Sequence, residues 1–165
     1  VCDITYIYTI DDKFCYLHLV TDAFSRMIIG YVLAPTLEAK YTIEALQQAI
    51  SHAGSGNLCG TIHHSDRGVQ YGCDEYITLL KEHHIRISMT EDSNPTDNGM
   101  AERVNGIIKN EFLEPLQTPK NLLEALPLVD HAVRTYNMLR PHLSLNMRTP
   151  AQVYEENNNF QKLKV

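Results

Sequence analysis

From residue 3 the chain alternates. Ile4, Tyr6, Tyr8 and Ile10 share one face of a strand, with Asp3, Thr5, Ile7 and Thr9 on the other. Asp11-Asp12-Lys13 reads as a turn, residues 14–20 as a second strand, and residues 27–33 as a third after a turn at 21–26. Three strands with short connections predict an antiparallel meander. The period then changes. Ile43, Leu46, Ile50 and Ala53 recur at three- and four-residue spacing, which predicts an amphipathic helix ended by Gly54. Residues 61–64 form a short strand with Asp66 just past its end, 73–82 a helix, and 85–89 another strand. This order implies a five-stranded mixed sheet flanked by helices, an α/β layered domain.

Residues 91–98 form a polar loop, with Thr96, Asp97 or Asn98 available to cap the next helix. In that helix Ala101, Val104, Ile108 and Phe112 make the buried stripe. Glu102, Asn105 and Lys109 lie beside it within an arc of roughly 60°, at about 100° per residue. A last helical region is expected near Thr118-Pro119, with Thr as cap, Pro in the first turn and a seam of Leu122, Leu126, Val129, Val133 and Tyr136. Pro127 predicts a kink there, or two helices. The end is loop-like, and the acidic, Asn-rich stretch from Glu155 is expected to fray. Residues 1–150 are therefore read as one domain and 151–165 as a C-terminal tail.

At 165 residues the chain is long enough for one well-buried domain, and 44% hydrophobic with 21% charged residues is a globular balance. No apolar run approaches the roughly 20 residues needed to cross a bilayer, and the start lacks a basic n-region. A cytoplasmic protein with no membrane partner is expected. Cys2, Cys15, Cys59 and Cys73 contain no Cys-x-x-Cys pair, which favours reduced thiols over zinc or a disulfide framework. The first residue is Val, and a candidate functional residue stands at position 3, so a piece of a longer protein is expected. Lys+Arg 14 against Asp+Glu 20 gives a net charge of −6, the wrong sign for a self-sufficient nucleic-acid binder. Metal ions neutralising a carboxylate cluster, and DNA affinity held in other domains, would reconcile the two.

The candidate chemistry lies in Asp3, Asp66 and Glu102, the last two separated by 35 residues (102−66−1). Asp disfavours strand interiors, so Asp3 in a strand calls for a reason. If the first and fourth strands are neighbours, Asp3 and Asp66 face each other, and the following helix brings Glu102 over the pair. Clustered carboxylates tend to protonate or to bind a cation, and oxygen-only ligands favour Mg²⁺ or Mn²⁺ over Zn²⁺. The paired histidines His63-His64 point to opposite faces of a strand, which argues against a shared metal.

Several segments together carry a family resemblance. They are Asp-Ile-Thr-Tyr-Ile at 3–7, Thr-Asp-Ala-Phe-Ser-Arg at 21–26, His-Ser-Asp-Arg-Gly-Val-Gln-Tyr at 64–71, Ser-Met-Thr at 88–90, Asn-Pro-Thr-Asp-Asn-Gly-Met-Ala-Glu at 94–102 and Tyr-Asn-Met-Leu-Arg-Pro-His at 136–142. The chain resembles the catalytic core of DDE transposases of bacterial insertion sequences, in the branch most similar to retroviral integrases. The resemblance implies a ribonuclease-H-like fold, with Asp3, Asp66 and Glu102 as catalytic and metal-binding residues and two Mg²⁺ ions, replaceable by Mn²⁺, per site. It implies hydrolysis at element ends followed by 3′-OH strand transfer, with transposon ends and target DNA as partners and a homo-oligomer as the active complex. A bacterial, nucleoid-associated site of action goes with this. Lys109 stands seven residues after the Glu, where a basic residue is common in that branch. Arg67, Asn105, Arg140 and His142 are further DNA-contact candidates, and His64 is a supporting residue. The chain departs from the family in the acidic stretch Glu91-Asp92-Ser93, in Asn98-Gly99, and in lacking the upstream helix-turn-helix region. The alternatives are a nuclease of the same fold that cuts without joining, and an inactive core serving as a binding or oligomerisation module.

Overall fold

The computed structural model describes residues 1–54, 58–89 and 99–162, with side chains through 158. The loop expected at 91–98, with its candidate caps and its departures from the family pattern, lies outside the described residues, apart from Gly99. Five strands form in the expected order: β1 (Cys2–Thr9), β2 (Lys13–Thr21), β3 (Ile28–Ala34), β4 (Ile62–Ser65) and β5 (Arg86–Met89). The helices are α1 (Ala39–Ala53), α2 (Asp74–Glu82), α3 (Gly99–Ile107), α4 (Leu122–Met138) and α5 (Pro150–Lys162).

The meander is antiparallel, with Asp3 opposite Leu19, Ile7 opposite Cys15, and Leu17 opposite Leu33. Strands β4 and β5 pair in parallel, Ile62 with Arg86 through Ser65 with Met89. The ladder does not run continuously through all five strands: hydrogen bonds join β1-β2-β3 and β4-β5 as separate sheets. Strand β4 packs beside β1, and side chains rather than ladder bonds join the two.

Each face of the meander buries its own core. On one side Ile7, Cys15, Leu17, Leu19 and Leu33 meet Val104 and Ile108 near α3, and Ala125, Val129, Val133 and Tyr136 of α4. On the other, Cys2 and Val20 meet Ala45, Leu46, Ala49 and Ile50 of α1, with Tyr71, Tyr76, Leu80 and Ile85. The α1 stripe is thus centred on Ala45, Leu46, Ala49 and Ile50, while Ile43 and Ala53 are only half-buried. Small residues let α1 lie directly on the sheet. A Cβ on Gly30 would fall 2.1 Å from the Ala45 carbonyl oxygen, so only glycine fits there. The cover over β1 ends at Ile4. Tyr6, Tyr8 and Phe14 remain about half exposed and pack edge-to-face, with centroids 5.9 Å apart for Tyr6–Phe14 and 5.7 Å for Tyr8–Phe14.

Three expectations for the C-terminal half change. Helix α4 starts at Leu122, not near Thr118-Pro119, because the Pro119 and Lys120 carbonyls accept from Ile10 and Asp11 N–H. Asn121 is the cap: its side chain accepts from Glu124 N–H at 3.2 Å, and Glu124 accepts from Lys120 N–H at 2.8 Å. The helix is one continuous element through Pro127 rather than two helices, and the carbonyl that Pro127 leaves without its helical donor belongs to Leu123, an exposed residue in the first turn. The expected fraying tail is helix α5. Thr149 and Gln152 form a reciprocal capping box (3.0 and 3.3 Å), Pro150 occupies the first turn, Arg148 pairs with Glu156, and Ala151 and Val153 are buried.

Candidate active site

Asp3 lies on the β1 face that looks toward α3. Its carboxylate accepts from the Ile4 N–H (2.9 Å) and from the Asn105 side-chain amide (2.7 Å). Asn105 is itself buried on α3, and among the described residues its own Oδ1 has no hydrogen-bond partner. Burial is the main reason the Asp3 carboxyl is raised from 3.8 to about 6. The negative charges of Asp66 and Glu102 add to that rise, against the Ile4 and Asn105 hydrogen bonds. Carboxylates from β1, the end of β4 and the first turn of α3 therefore share one electrostatic field.

Asp66 is placed by a tight turn after β4, in which its Oδ1 accepts from Gly68 N–H at 2.9 Å. A Cβ at Gly68 would crowd the side-chain tips of Gln70 (2.9 Å) and of Asp66 itself (3.0 Å), so a larger residue there would push on the Asp66 carboxylate. A buried side-chain clasp sets β4 against β1. Cys2 Sγ lies 3.0 Å from His63 Nε2, and the same nitrogen is 2.8 Å from the Tyr76 hydroxyl. Burial lowers His63 to about 4, so it is neutral at pH 7. Cys2, His63 and Tyr76 were not singled out as site residues in the sequence. A Cys beside a strand-borne Asp, and a His three residues before the second Asp, are the signals that point to them. His64 faces the other way and bonds Ser88 on β5 at 2.9 Å.

Glu102 is exposed, on a helix anchored by Ala101 and Val104 and by Ile108 just beyond it. After Ile107 the helix widens into a π-helical turn, Ile108–Leu113, which carries Lys109. Lys109 lines a cleft of about 370 Å³ with Tyr6, Tyr8, Leu113 and Leu116. Arg67 is exposed next to Asp66. Arg140 forms a two-point ion pair with Glu111 (2.6 and 2.7 Å), and His142 is buried edge-on against Tyr136. The last two thus stand with the end of α4 and the π-helical turn, apart from the carboxylates.

The donor set is all oxygen, and the charges of Asp66 and Glu102 both reach Asp3, which suits a hard divalent cation. Among the described residues no three His, Cys, Asp or Glu side chains yet converge tightly enough to enclose an ion. Among the same residues no helix is long and apolar enough to cross a membrane.

The fold is that of integrase catalytic cores, with the ribonuclease-H-like arrangement of strands and helices. The chain superposes on the HTLV-2 integrase catalytic core domain, solved in complex with magnesium, with a TM-score of 0.69 and 26% identity over 92% of each chain. By sequence the chain belongs to the integrase core domain family, matched over residues 1–95 and, through a second description of that domain, over 83–150. It is 35% identical over 113 residues to a transposase for insertion sequence element IS629 of Shigella sonnei, covering 68% of this chain and 37% of the relative. It is 30% identical over 155 residues to transposase InsF for insertion sequence IS3A of Escherichia coli K12, covering 94% of this chain and 53% of the relative.

Proposed function

We propose that this chain is the catalytic core of an insertion-sequence transposase, cutting phosphodiester bonds at element ends and joining the freed 3′-OH to target DNA. The observation that carries the reading is the placement of Asp3 on β1, Asp66 just past β4 and Glu102 on α3 of an integrase core domain, in a family whose members include transposases. Those three residues would hold two Mg²⁺ ions, with Mn²⁺ as a substitute. Divalent ions bound there supply Lewis acidity at the attacking and leaving oxygens of an in-line displacement. Asp3 is kept oriented by the Ile4 N–H and the Asn105 amide, so its carboxylate enters the reaction already aimed. Water is the nucleophile in the first step and the 3′-OH in the second. Joining is therefore a transesterification that needs no ATP and no covalent link to the protein. Lys109, on the same helical arc as Asn105, contacts the DNA end, and Arg67 supports the strand beside Asp66. The full protein acts on DNA in the bacterial cytoplasm as a homo-oligomer.

The test is a strand-transfer assay with the full-length protein and a labelled element-end duplex. Branched products that require Mg²⁺ and vanish in Asp66→Asn and Glu102→Gln support the reading. Nicked but unjoined DNA would make the chain a nuclease. A chain that binds no Mg²⁺ in a calorimetric titration would be an inactive module.

A further inference from the structure

Two of the sequence segments that carry the family pattern take no part in the carboxylate cluster, 21–26 and 136–142, and they meet in one pocket. The first folds into a closed turn. Asp22 accepts from both the N–H and the hydroxyl of Ser25 (2.8 and 2.6 Å), Asp22 N–H donates to the Met27 carbonyl, and Arg26 N–H donates back to the Asp22 carbonyl. Arg26 adopts a left-handed backbone (φ 67°), and its carbonyl accepts from the Tyr136 hydroxyl at 3.0 Å. The turn is thereby fixed to α4, and the Arg26 guanidinium is delivered to the N-terminal part of α3.

There it meets Arg103. A pocket of about 180 Å³ is lined by Arg26, Arg103, Tyr136, His142 and Ser144, with Met100 and other apolar side chains of α3 as its wall. Among the described residues neither arginine has a carboxylate partner. The hydrogen bond that Arg26 Nη1 makes goes to the Met100 sulfur, a weak acceptor. Arg134, Arg140 and Arg148, by contrast, each pair with an acid. Half-buried Arg26 and exposed Arg103 line one pocket without an acid between them, in a chain of net charge −6, which suits an anion from outside. His142 senses the cluster. Burial first, then the charges of Arg140, Arg103 and Arg26, hold its pKa down, with Glu111 opposing.

We propose that the pocket formed by Arg26, Arg103, His142 and Ser144 binds one phosphodiester group of the DNA backbone. Arg103 lies about 100° around α3 from Glu102, and Met100 and Ile107 lie beyond it, so the pocket opens on a different flank of the same helix from the carboxylates. A helix is about 10 Å across, and successive phosphates advance about 3.4 Å along one strand. The phosphate held here would be within a few nucleotides of the one at the carboxylates. The arginines read charge and position, not sequence. The proposal rests on DNA being the substrate, but not on the carboxylate chemistry.

The test is fluorescence anisotropy of the full chain with a labelled duplex oligonucleotide in EDTA, between about 50 and 200 mM NaCl. EDTA separates this result from the catalytic reading, since failure of Mg²⁺-dependent joining leaves the binding measurement intact. Arg26→Gln with Arg103→Gln should weaken binding roughly tenfold at 100 mM salt and reduce the slope of log K against log salt by about 0.9, the signature of one lost phosphate contact. Arg134→Gln, outside the pocket, should change neither. Ser144→Asp places a carboxylate at the exposed rim without touching the buried wall and should weaken binding likewise, so the proposal is testable even if the glutamine pair unfolds. Unchanged affinity and slope, or no DNA binding by the unaltered chain, would overturn it. So would inorganic phosphate raising the thermal midpoint of the unaltered chain but not of the glutamine pair, while DNA binding is the same for both. That result would make the pocket a free-anion site.

Discussion

Asp3→Asn gives the sharpest physical test of the carboxylate cluster, because it predicts a more stable protein. With its carboxyl raised from 3.8 to about 6, Asp3 ionises less readily folded than unfolded. Between those values the folded state holds the extra proton, so stability falls as pH rises from about 4 to about 6 and stays low above that. About two pKa units correspond to about 3 kcal/mol of penalty at neutral pH, an upper value. The asparagine retains an acceptor for the Ile4 N–H. It also gains a donor for the Asn105 Oδ1, which now lacks a partner, if the Asn105 amide turns over. The expected outcome is a variant more stable than the unaltered chain by about 1–3 kcal/mol at pH 7.5 and equal to it near pH 4. Urea unfolding in EDTA across that pH range measures the difference. Added Mg²⁺ should reverse the order at pH 7.5 by stabilising only the chain that binds it. A variant less stable at every pH, or a difference that does not change with pH, would show that Asp3 carries no such penalty.

Three further outcomes follow from the packing. Asn105→Ala should lower Mg²⁺ affinity by about 10–100-fold in a calorimetric titration, the usual effect of losing a group that orients a ligand; unchanged affinity would reduce Asn105 to a packing residue. His63→Leu breaks the clasp between β1 and β4 and leaves the Tyr76 hydroxyl on its long contact to Cys2 Sγ (3.8 Å), at a cost of about 1–3 kcal/mol in urea unfolding. An unchanged urea midpoint would mean that apolar packing alone docks β4. Gly30→Ala should cost at least about 1–3 kcal/mol, because the new methyl meets the Ala45 carbonyl rather than a side chain that can move. A thermal midpoint equal to that of the unaltered chain would refute that close approach.

Short-range patterns in the chain were enough to place the five strands, the helix ended by Gly54, the helix carrying Glu102 and the three carboxylates. Alternation, helical period and turn residues act over a few positions, and a strand-borne Asp is unusual by itself. The capping box at Thr149 and Gln152 was equally local and was readable from the same rules, although the stretch beyond it reads as too polar for a helix.

What tertiary structure decided were the partners. The Pro119 and Lys120 carbonyls are taken by Ile10 and Asp11 just after β1, which moves the start of α4 to Leu122, with Asn121 as its cap. Arg140 looks like a DNA contact in sequence, and its guanidinium lies on Glu111, 29 residues away. The clasp of Cys2, His63 and Tyr76, the half-exposed Tyr6–Tyr8–Phe14 face, and the meeting of Arg26 with Arg103 in one pocket depend on contacts between groups 6 to 77 positions apart (14−8; 103−26). Hydrogen bonds and burial across such separations depend on how whole elements pack, and no local period encodes them.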